Sequence, residues 1–442
     1  MHTFGEFEFH HVGQGLFYSG RLDLEGERKN IVYDCGTFFE KELLEYEIDG
    51  AFSNNDTIDL LMISHFDADH INGLQYLLNR VKKVESLFMP FIEPEELLFL
   101  ATKYQLPKSR RKNEEYVNMI SDIRTLWGNE KIKNIILLSE SSGKDFPDDT
   151  ERFPLEWDGD SEGIVFKFYR DKERQTIFDE RYFHENNSLG RKVKIAQYDG
   201  KLSFSQGWDF QFYINNEGKE ERKNFHAALV KRGIGITSFS DIQRTVRDKV
   251  LLDNLKDAYR EINRNLNLRS MIVLHKPIES EGLCTEIAQV IPVRCISNLN
   301  FSYYPHCIEC FGSTYEFKEL STILFGDGKI STHKELNRMG KHFEDALDCC
   351  MVALLPHHGS RHNWKKDVLS CVKSRFWIVS FGIHGKFGHP NTKVLEDFHS
   401  SWKFVHGYDD DDDGRTPDEI PYLLFCNEYQ SVVYRIKVSD SM

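Results

Sequence analysis

A nearly continuous apolar segment, Ile58-Asp-Leu-Leu-Met-Ile-Ser64, runs directly into a loop that is rich in histidine and aspartate. Such a segment is typical of a strand that is covered on both faces, as in a sheet with helices packed against it. Further strand and helix patterns alternate in both halves of the chain, which favours a layered α/β fold. The loop reads His65-Phe66-Asp67-Ala68-Asp69-His70, so four side chains of the kinds that can bind metals follow one buried strand.

The spacing within this loop predicts two pairs of ligands. In an extended loop His65 and Asp67 project to the same side, whereas Asp69 and His70 lie where the next helix begins. One pair can bind one ion and the other pair a second. Asp69 alone would pass as a helix N-cap, and His65 alone as a hydrogen-bonded residue at a strand end. The four together favour a metal site.

Two later strands end in the same kinds of side chain. The segment Thr322-Ile-Leu-Phe-Gly-Asp327-Gly328 ends in an aspartate, and Ala353-Leu-Leu-Pro-His357-His358-Gly359-Ser360 ends in two histidines. Each would more often be structural if it stood alone. Three strand ends that carry clustered ligands favour one shared metal centre.

The run from His65 to His70 resembles the HxHxDH signature of the metallo-β-lactamase superfamily, with Asp67 in place of the second histidine. This variant, with the later Asp327 and His357-His358-Gly359-Ser360, is similar to the hydrolase domain of bacterial competence DNA-uptake proteins. Three other segments resemble that domain: His11-Val-Gly-Gln-Gly15, Ile31-Val-Tyr-Asp34-Cys-Gly36 and Gly388-His389-Pro390.

The resemblance implies an α/β fold, the metallo-β-lactamase αββα four-layer sandwich with insertions. Residues 1–94 would form the N-terminal half of the fold, and residues 95–205 a helical and irregular insertion. Residues 206–442 would form the C-terminal half, with insertions near 217–262 and 277–318.

The resemblance also implies a set of metal ligands. They are His65, Asp67, Asp69 and His70, with Asp327 bridging both ions and His358 as a late ligand. Superfamily members with the all-histidine signature use one more histidine before the bridging aspartate. His275 and His306 are the nearest candidates for it, and a shell completed by water is the alternative.

The expected cofactors are two divalent metal ions. His357, Ser360 and Asp34 are secondary candidates for the site. Because the implied shell is rich in oxygen, manganese and iron compete with zinc.

A hydrolase with such a centre would use the two ions to activate a water. Asp69 could orient the hydroxide as well as bind metal, and His389 is a candidate to steady or protonate the leaving oxygen. A structural histidine before a proline is the alternative for His389. Gly359 and Ser360 could bind a phosphate oxygen at a helix start, or Ser360 could be an ordinary N-cap.

The resemblance favours a phosphodiester in nucleic acid or a nucleotide as the substrate. Lys108, Arg110, Arg111 and Lys112 could guide a nucleic-acid backbone, or they could form a solvated face. The net charge of −14 disfavours broad capture of nucleic acid. Two other functions stay open: a regulatory, non-catalytic module in a multi-protein assembly, with the insertions as docking surfaces, and an esterase or lactonase. A bacterial defence system is one setting for such a protein.

The remaining signals concern location and minor sites. No window has the roughly 20 unbroken apolar residues that a membrane span needs, so no contact with a membrane is expected. The N-terminus lacks a secretion signal and the nine cysteines are scattered, which predicts a cytoplasmic protein. Cys307 and Cys310 have the spacing of half a zinc site, or they simply pack inside an insertion. The acidic run from Asp409 to Asp413 is typical of a solvated loop.

Overall fold

The computed structural model describes residues 3–105, 114–139, 164–167, 174–176, 178–179, 192–197, 200–204, 207–215, 219–236, 238–261, 269–278, 283–290, 307–317, 321–348, 350–383, 387–398 and 422–438. The basic patch at Lys108–Lys112, His306 and the acidic run at Asp409–Asp413 lie outside these ranges. The side chains of Cys307 and Cys310 are also outside the description, so the half zinc site stays a prediction.

The first sheet contains ten strands in the order β13-β12-β18-β1-β2-β3-β4-β5-β6-β8. Its strands are β1 Thr3–Phe9, β2 Gly15–Leu24, β3 Glu27–Thr37, β4 Thr57–Met62, β5 Lys83–Pro90, β6 Ile132–Ser139, β8 Val193–Gln197, β12 Leu283–Val290, β13 Cys307–Phe317 and β18 Ser431–Val438. Strands β3, β4, β5, β6 and β8 pair in parallel, and the other pairs of this sheet are antiparallel.

The second sheet contains eight strands in the order β17-β16-β15-β14-β11-β10-β9-β7. Its strands are β7 Ile164–Lys167, β9 Lys201–Phe204, β10 Trp208–Asn215, β11 Ser270–Pro277, β14 Ser321–Leu324, β15 Cys350–Leu354, β16 Ser374–Ser380 and β17 Tyr422–Cys426. Strands β14 to β17 pair in parallel, so the carboxyl ends of β14 and β15 lie side by side.

Helices follow most of the parallel strands and also β10. They are α1 Lys41–Ala51, α2 Ala68–Ile71, α3 Leu74–Arg80, α4 Pro94–Gln105, α5 Glu114–Ser121, α6 Arg124–Trp127, α7 Lys219–Lys231, α8 Phe239–Arg247, α9 Lys249–Glu261, α10 His333–Phe343 and α11 Val368–Cys371, with short 3-10 helices at Glu344–Leu347 and Pro356–Gly359. Residues 392–398 are also helical.

Three hydrophobic clusters hold these layers together. The inner faces of the two sheets share one cluster, to which alternate residues such as Phe7 and Phe9 contribute. A second cluster joins the outer face of the first sheet to α1, α3, α4 and neighbouring helices, and a third joins the second sheet to α10 and α11. Alternation within the strands therefore builds helix, sheet, sheet and helix in that order, and the predicted α/β four-layer fold is confirmed.

The segments expected to be insertions pack against the two halves of the fold. Phe225 of α7 and Tyr259 of α9 belong to the same cluster as the first sheet and contact Phe99 of α4. Strands β12 and β13 extend the first sheet at its edge. The division into 1–94, 95–205 and 206–442 stays a prediction.

None of the helices in the described ranges combines the length and the apolar character that crossing a membrane requires.

Candidate metal centre

The loop after β4 meets the loops after β14 and β15 where the two sheets approach each other. The carbonyl of Ser64 accepts a hydrogen bond from the N–H of Met271 on β11 at 2.7 Å, and the N–H of His357 donates to the carbonyl of Gly326 at 2.8 Å. The first bond ties the loop after β4 to the second sheet, and the second bond joins the loops after β14 and β15. The side chains of His65, Asp67, Asp69, His70, Asp327, His357 and His358 therefore converge on one place.

The carboxylate of Asp327 lies in the middle of this group. Its Oδ2 is 3.4 Å from Nε2 of His65 and 3.2 Å from Nδ1 of His357. Its Oδ1 is 3.3 Å from Nε2 of His70. The two oxygens of Asp327 thus face different histidines, which is the arrangement that the bridging role requires.

Each half of the predicted ligand loop joins a different side of Asp327. His65, Asp67 and Asp327 bring their donor atoms close enough together to hold one ion. Asp69, His70 and His358 form a second group, in which Nε2 of His358 lies 3.4 Å from Oδ2 of Asp69. The loop is therefore divided between the two groups in the way that its spacing predicts.

His65, His70 and His358 are each held in place through Nδ1, the ring nitrogen that does not face a carboxylate of the centre. Nδ1 of His70 lies 2.8 Å from Oδ2 of Asp34, and Nδ1 of His358 lies 2.8 Å from the carbonyl oxygen of Ser380. Because a carboxylate or carbonyl oxygen only accepts, these histidines carry a proton on Nδ1. Nδ1 of His65 lies 2.8 Å from Oγ of Ser64, which donates its own proton to Asp34 and so accepts from His65.

The opposite nitrogens consequently present lone pairs to the centre. Within the described part of the chain, Nε2 of His65, His70 and His358 is buried and has no hydrogen-bond partner. Each instead faces a carboxylate oxygen at 3.3 to 3.4 Å. Two acceptors at this distance repel unless a proton or a metal ion lies between them, and this set of donor atoms fits metal ions.

The shifted pKa values of these groups show that the site favours bound positive charge. Burial would raise the pKa of Asp327, but His357, His65 and His70 hold it well below its usual value. Burial would lower the pKa of His70, but Asp34 and Asp327 raise it far above its usual value. Protons and divalent ions therefore compete for the same buried carboxylates and imidazoles.

The backbone is strained at three positions of the site. Asp34, His357 and His358 have φ angles of 59°, 47° and 54°, in the left-handed region that non-glycine residues rarely adopt. Each such residue costs about 1–3 kcal/mol, and strain of this kind clusters at functional sites.

Two glycines allow the loops to approach this closely. A Cβ on Gly36 would lie 2.5 Å from the carbonyl carbon of Asp69 and 2.6 Å from the nitrogen of His70. A Cβ on Gly326, whose φ is +52°, would lie 2.6 Å from Cβ of Ser64. Larger residues at either position would displace the ligand loop.

Three residues of α4 and α5 support the ligand loop, and the sequence analysis missed them. Nζ of Lys103 lies 2.8 Å from Oδ2 of Asp67, whose other neighbour is Nε2 of His65 at 3.9 Å. The hydroxyl of Tyr104 accepts from the N–H of Ala68 at 3.2 Å, and that of Tyr116 donates to the carbonyl of Phe66 at 2.6 Å. Helical spacing alone does not distinguish such residues from ordinary core or surface positions.

The rings of His389, Phe387 and Phe38 form an aromatic wall beside the two groups of ligands. The ring of His389 is 5.7 Å from that of His357 and stacks on Phe387 at 6.2 Å. Phe387 also stacks on Phe38 at 5.9 Å. Burial, followed by the nearby His358 and His357, lowers the pKa of His389 to about 4, so its ring is neutral near pH 7.

Two of the candidates have roles that differ from a direct ligand. Asp34 is fully buried and accepts from Ser64 and His70, so it orients a ligand. Ser360 donates its N–H to the carbonyl of His357 at 2.9 Å, so this N–H already has a partner. Its hydroxyl oxygen lies 3.4 Å from the N–H of His362, which fits the capping alternative, and phosphate binding at Gly359 and Ser360 stays a prediction.

His275 was a candidate for the additional histidine, and this prediction is wrong. It lies between the sheets, where its Nε2 contacts the hydroxyl of Tyr18 at 2.8 Å and its Nδ1 accepts from Trp208 at 3.2 Å. Both ring nitrogens are therefore occupied. His357, a secondary candidate that follows Asp327 in the chain, reaches Asp327 together with His65 and His70.

Comparison with known families agrees with this geometry. The family model described as the metallo-beta-lactamase superfamily matches residues 24–166, which include the whole loop from His65 to His70. Asp327, His357 and His358 lie beyond the matched residues. No curated protein matches the chain. A domain of this superfamily implies a metal-dependent hydrolase.

Proposed function

We propose that this chain, whose residues 24–166 match the model of the metallo-beta-lactamase superfamily, is a phosphodiesterase with two metal ions that acts on nucleic acid or a nucleotide. The observation that carries the proposal is the orientation of three buried histidines. Their protonated Nδ1 atoms are bound by Ser64, Asp34 and Ser380, and their Nε2 atoms face carboxylates. A divalent cation held between each pair would satisfy both partners at once.

The residues divide into two sets of ligands that share Asp327. The first set contains His65, Asp67, Asp327 and His357, and the second contains Asp69, His70, His358 and Asp327. Bound divalent ions lower the pKa of a water toward 7 and stabilise charge on the attacked phosphate. Imidazole and carboxylate together suit zinc, and the carboxylates also suit manganese.

The other residues of the site position water and substrate. Asp69 presents Oδ2 next to His358 and is placed to orient the attacking water. His389, neutral near pH 7, is placed to donate a hydrogen bond to the leaving oxygen. Lys103 is one-third exposed beside Asp67 and supplies a positive charge for a substrate phosphate.

The aromatic wall supports a substrate that contains a planar base. Phe387 is 40% exposed and lies parallel to His389, with 4° between the ring planes. Stacking of a base on such a surface contributes about 1–3 kcal/mol and tolerates any base sequence. The resemblance to competence hydrolase domains points to the same class of substrate.

Hydrolysis of two substrates tests the proposal. We expect the metal-loaded wild type to hydrolyse bis-p-nitrophenyl phosphate and to cut single-stranded DNA, and chelation to stop both. The D69A/H70A double variant should lose both activities and part of its metal. A control with D23A and H226A, both on the surface, should keep them.

Other outcomes would assign a different function. Metal-dependent turnover of p-nitrophenyl acetate without cleavage of either phosphodiester would indicate an esterase. Two bound ions without turnover of any of these substrates would indicate a regulatory metal-binding module, in which the segments near 217–262 and 277–318 would be the docking surfaces.

A further inference from the structure

A second cluster of histidines and carboxylates lies between the end of β1 and helix α1. It shares no residue with the centre described above, and its members are Glu8, His10, His11 and Glu47. Oε2 of Glu47 is 3.0 Å from Nδ1 of His10 and 2.9 Å from Nδ1 of His11. Oε1 of Glu8 is 3.8 Å from Nδ1 of His10. We propose that this cluster binds a divalent cation, with zinc preferred.

Three of the four residues are buried. Glu47, His10 and His11 are 7%, 4% and 1% exposed. Burial would raise the pKa of Glu47, but the contacts with His10 and His11 lower it to about 2, so it is a carboxylate at neutral pH. A buried carboxylate needs a strong partner that stays in place, because an uncompensated charge there is costly.

The ring of His10 is oriented toward Glu47 by its surroundings. Its Nε2 lies 2.8 Å from Oγ of Ser19, and its ring stacks on Phe17 at 4.1 Å. A hydrogen bond from Nε2 leaves Nδ1 directed at Glu47. Metal-binding histidines are commonly fixed in this way, through the nitrogen that does not bind the metal.

His11 provides the independent observation that points to a ligand. Although it is almost fully buried, neither of its ring nitrogens has a hydrogen-bond partner among the described residues. Its Nδ1 contacts Oε2 of Glu47 at 2.9 Å without the direction of a hydrogen bond. A cation held between these atoms would satisfy both.

The distances fit a tetrahedral zinc site. Zinc bonds of about 2.0–2.2 Å to nitrogen and oxygen place neighbouring ligand atoms roughly 3.3–3.5 Å apart. Three separations, Glu8 to His10, Glu47 to His10 and Glu47 to His11, range from 2.9 to 3.8 Å and lie around this value. Two imidazoles with two carboxylates suit zinc better than calcium or magnesium, which prefer oxygen alone.

A cavity gives an ion access to the cluster. It has a volume of about 520 Å³, and its walls include Glu8, His10, His11 and Glu47 together with Arg21 and Tyr46. An ion bound at its base would link β1 to α1. Because such an ion binds the folded chain, it would raise the melting temperature as the zinc concentration rises.

The alternative is a metal-free network in which protonated His10 and His11 bind Glu47. Zinc stoichiometry separates the two, measured on the full chain after dialysis against buffered free zinc. We expect E47Q and E8Q to bind one zinc ion fewer per chain than the wild type. The control E45Q, on the same helix and partly exposed, should bind as many as the wild type.

The difference in zinc content between the wild type and these variants does not depend on the proposed phosphodiesterase centre. If that centre bound no metal, the wild type would bind one ion and E47Q none. Equal zinc content in the wild type, E47Q and E8Q would overturn the proposal. If E47Q fails to fold, E8Q carries the test, because its side chain is one-third exposed and contributes little to packing. Cobalt substitution provides a further readout, since E8Q should lose the visible absorption of the cobalt ion bound at this cluster.

Discussion

Oδ2 of Asp34 lies 2.8 Å from Nδ1 of His70, and the two residues are almost completely buried. The hydrogen bond fixes which nitrogen of His70 carries the proton and directs the other toward Asp327. Asp34 also accepts from the N–H and the hydroxyl of Ser64. One carboxylate therefore orients the loop and one of its ligands without binding metal itself.

Replacing Asp34 by asparagine tests this positioning role. Asparagine tolerates the left-handed backbone at this position and keeps the side-chain volume, so the fold should persist. Loss of the negative charge should weaken metal binding by about 10- to 100-fold. Competition with a chromogenic chelator measures the affinity, and D23N on the surface is the control. Unchanged affinity in D34N would show that the hydrogen bond to His70 is dispensable.

The G36A variant tests how closely β3 must approach the ligand loop. The added Cβ would overlap the backbone of Asp69 and His70, so we expect loss of metal and destabilisation of about 1–3 kcal/mol. The control G235A adds a Cβ where no atom lies within 4 Å. Metal content and denaturant unfolding measure the two effects, and full metal retention in G36A would contradict the packing argument.

The sequence predicted the loop from His65 to His70 because its ligands are adjacent in the chain and follow an obvious buried strand. It also predicted the approach of Asp327 and His358, since each ends an apolar strand. The contribution of Lys103 could not be predicted, because contact with Asp67 depends on how α4 packs over the first sheet. Whether His357 or His275 lies near Asp327 likewise depends on tertiary structure. His357 lies in the loop after β15 and faces Asp327, whereas His275 lies between the sheets.

Lys103 should affect substrate binding more than metal binding. In K103M the positive charge beside Asp67 is lost, and a charged hydrogen bond contributes about 1.5–3 kcal/mol, roughly 10- to 100-fold in kcat/KM. K103R should recover part of this loss. Steady-state kinetics on single-stranded DNA, with metal content measured in parallel, provides the test. Loss of metal together with activity in K103M would instead show that Lys103 acts only through its support of Asp67.

His275 should make the stability of the fold depend on pH. Burial lowers its pKa to about 3, whereas an unfolded chain has a histidine pKa of about 6.5. The contribution of neutral His275 to the free energy of unfolding is therefore fully present above pH 6.5. It declines as the pH falls toward 3, by about 1.4 kcal/mol per pH unit, because only the unfolded chain takes up the proton.

The H275Q variant should remove this dependence. Glutamine keeps polar atoms near Tyr18 and Trp208 but does not titrate in this range. Urea unfolding of the wild type and H275Q between pH 5 and 7 measures the slopes, with H226Q on the surface as the control. Parallel slopes in the wild type and H275Q would show that His275 does not couple folding to pH.

The most direct test of the account is the anomalous scattering of zinc-loaded crystals near Asp327. Two peaks should flank its carboxylate, one within about 2.0–2.2 Å of Nε2 of His65 and the other within the same distance of Nε2 of His70 and His358. A single peak, or none, with Nε2 of His70 bonded directly to Asp327, would contradict a two-metal centre.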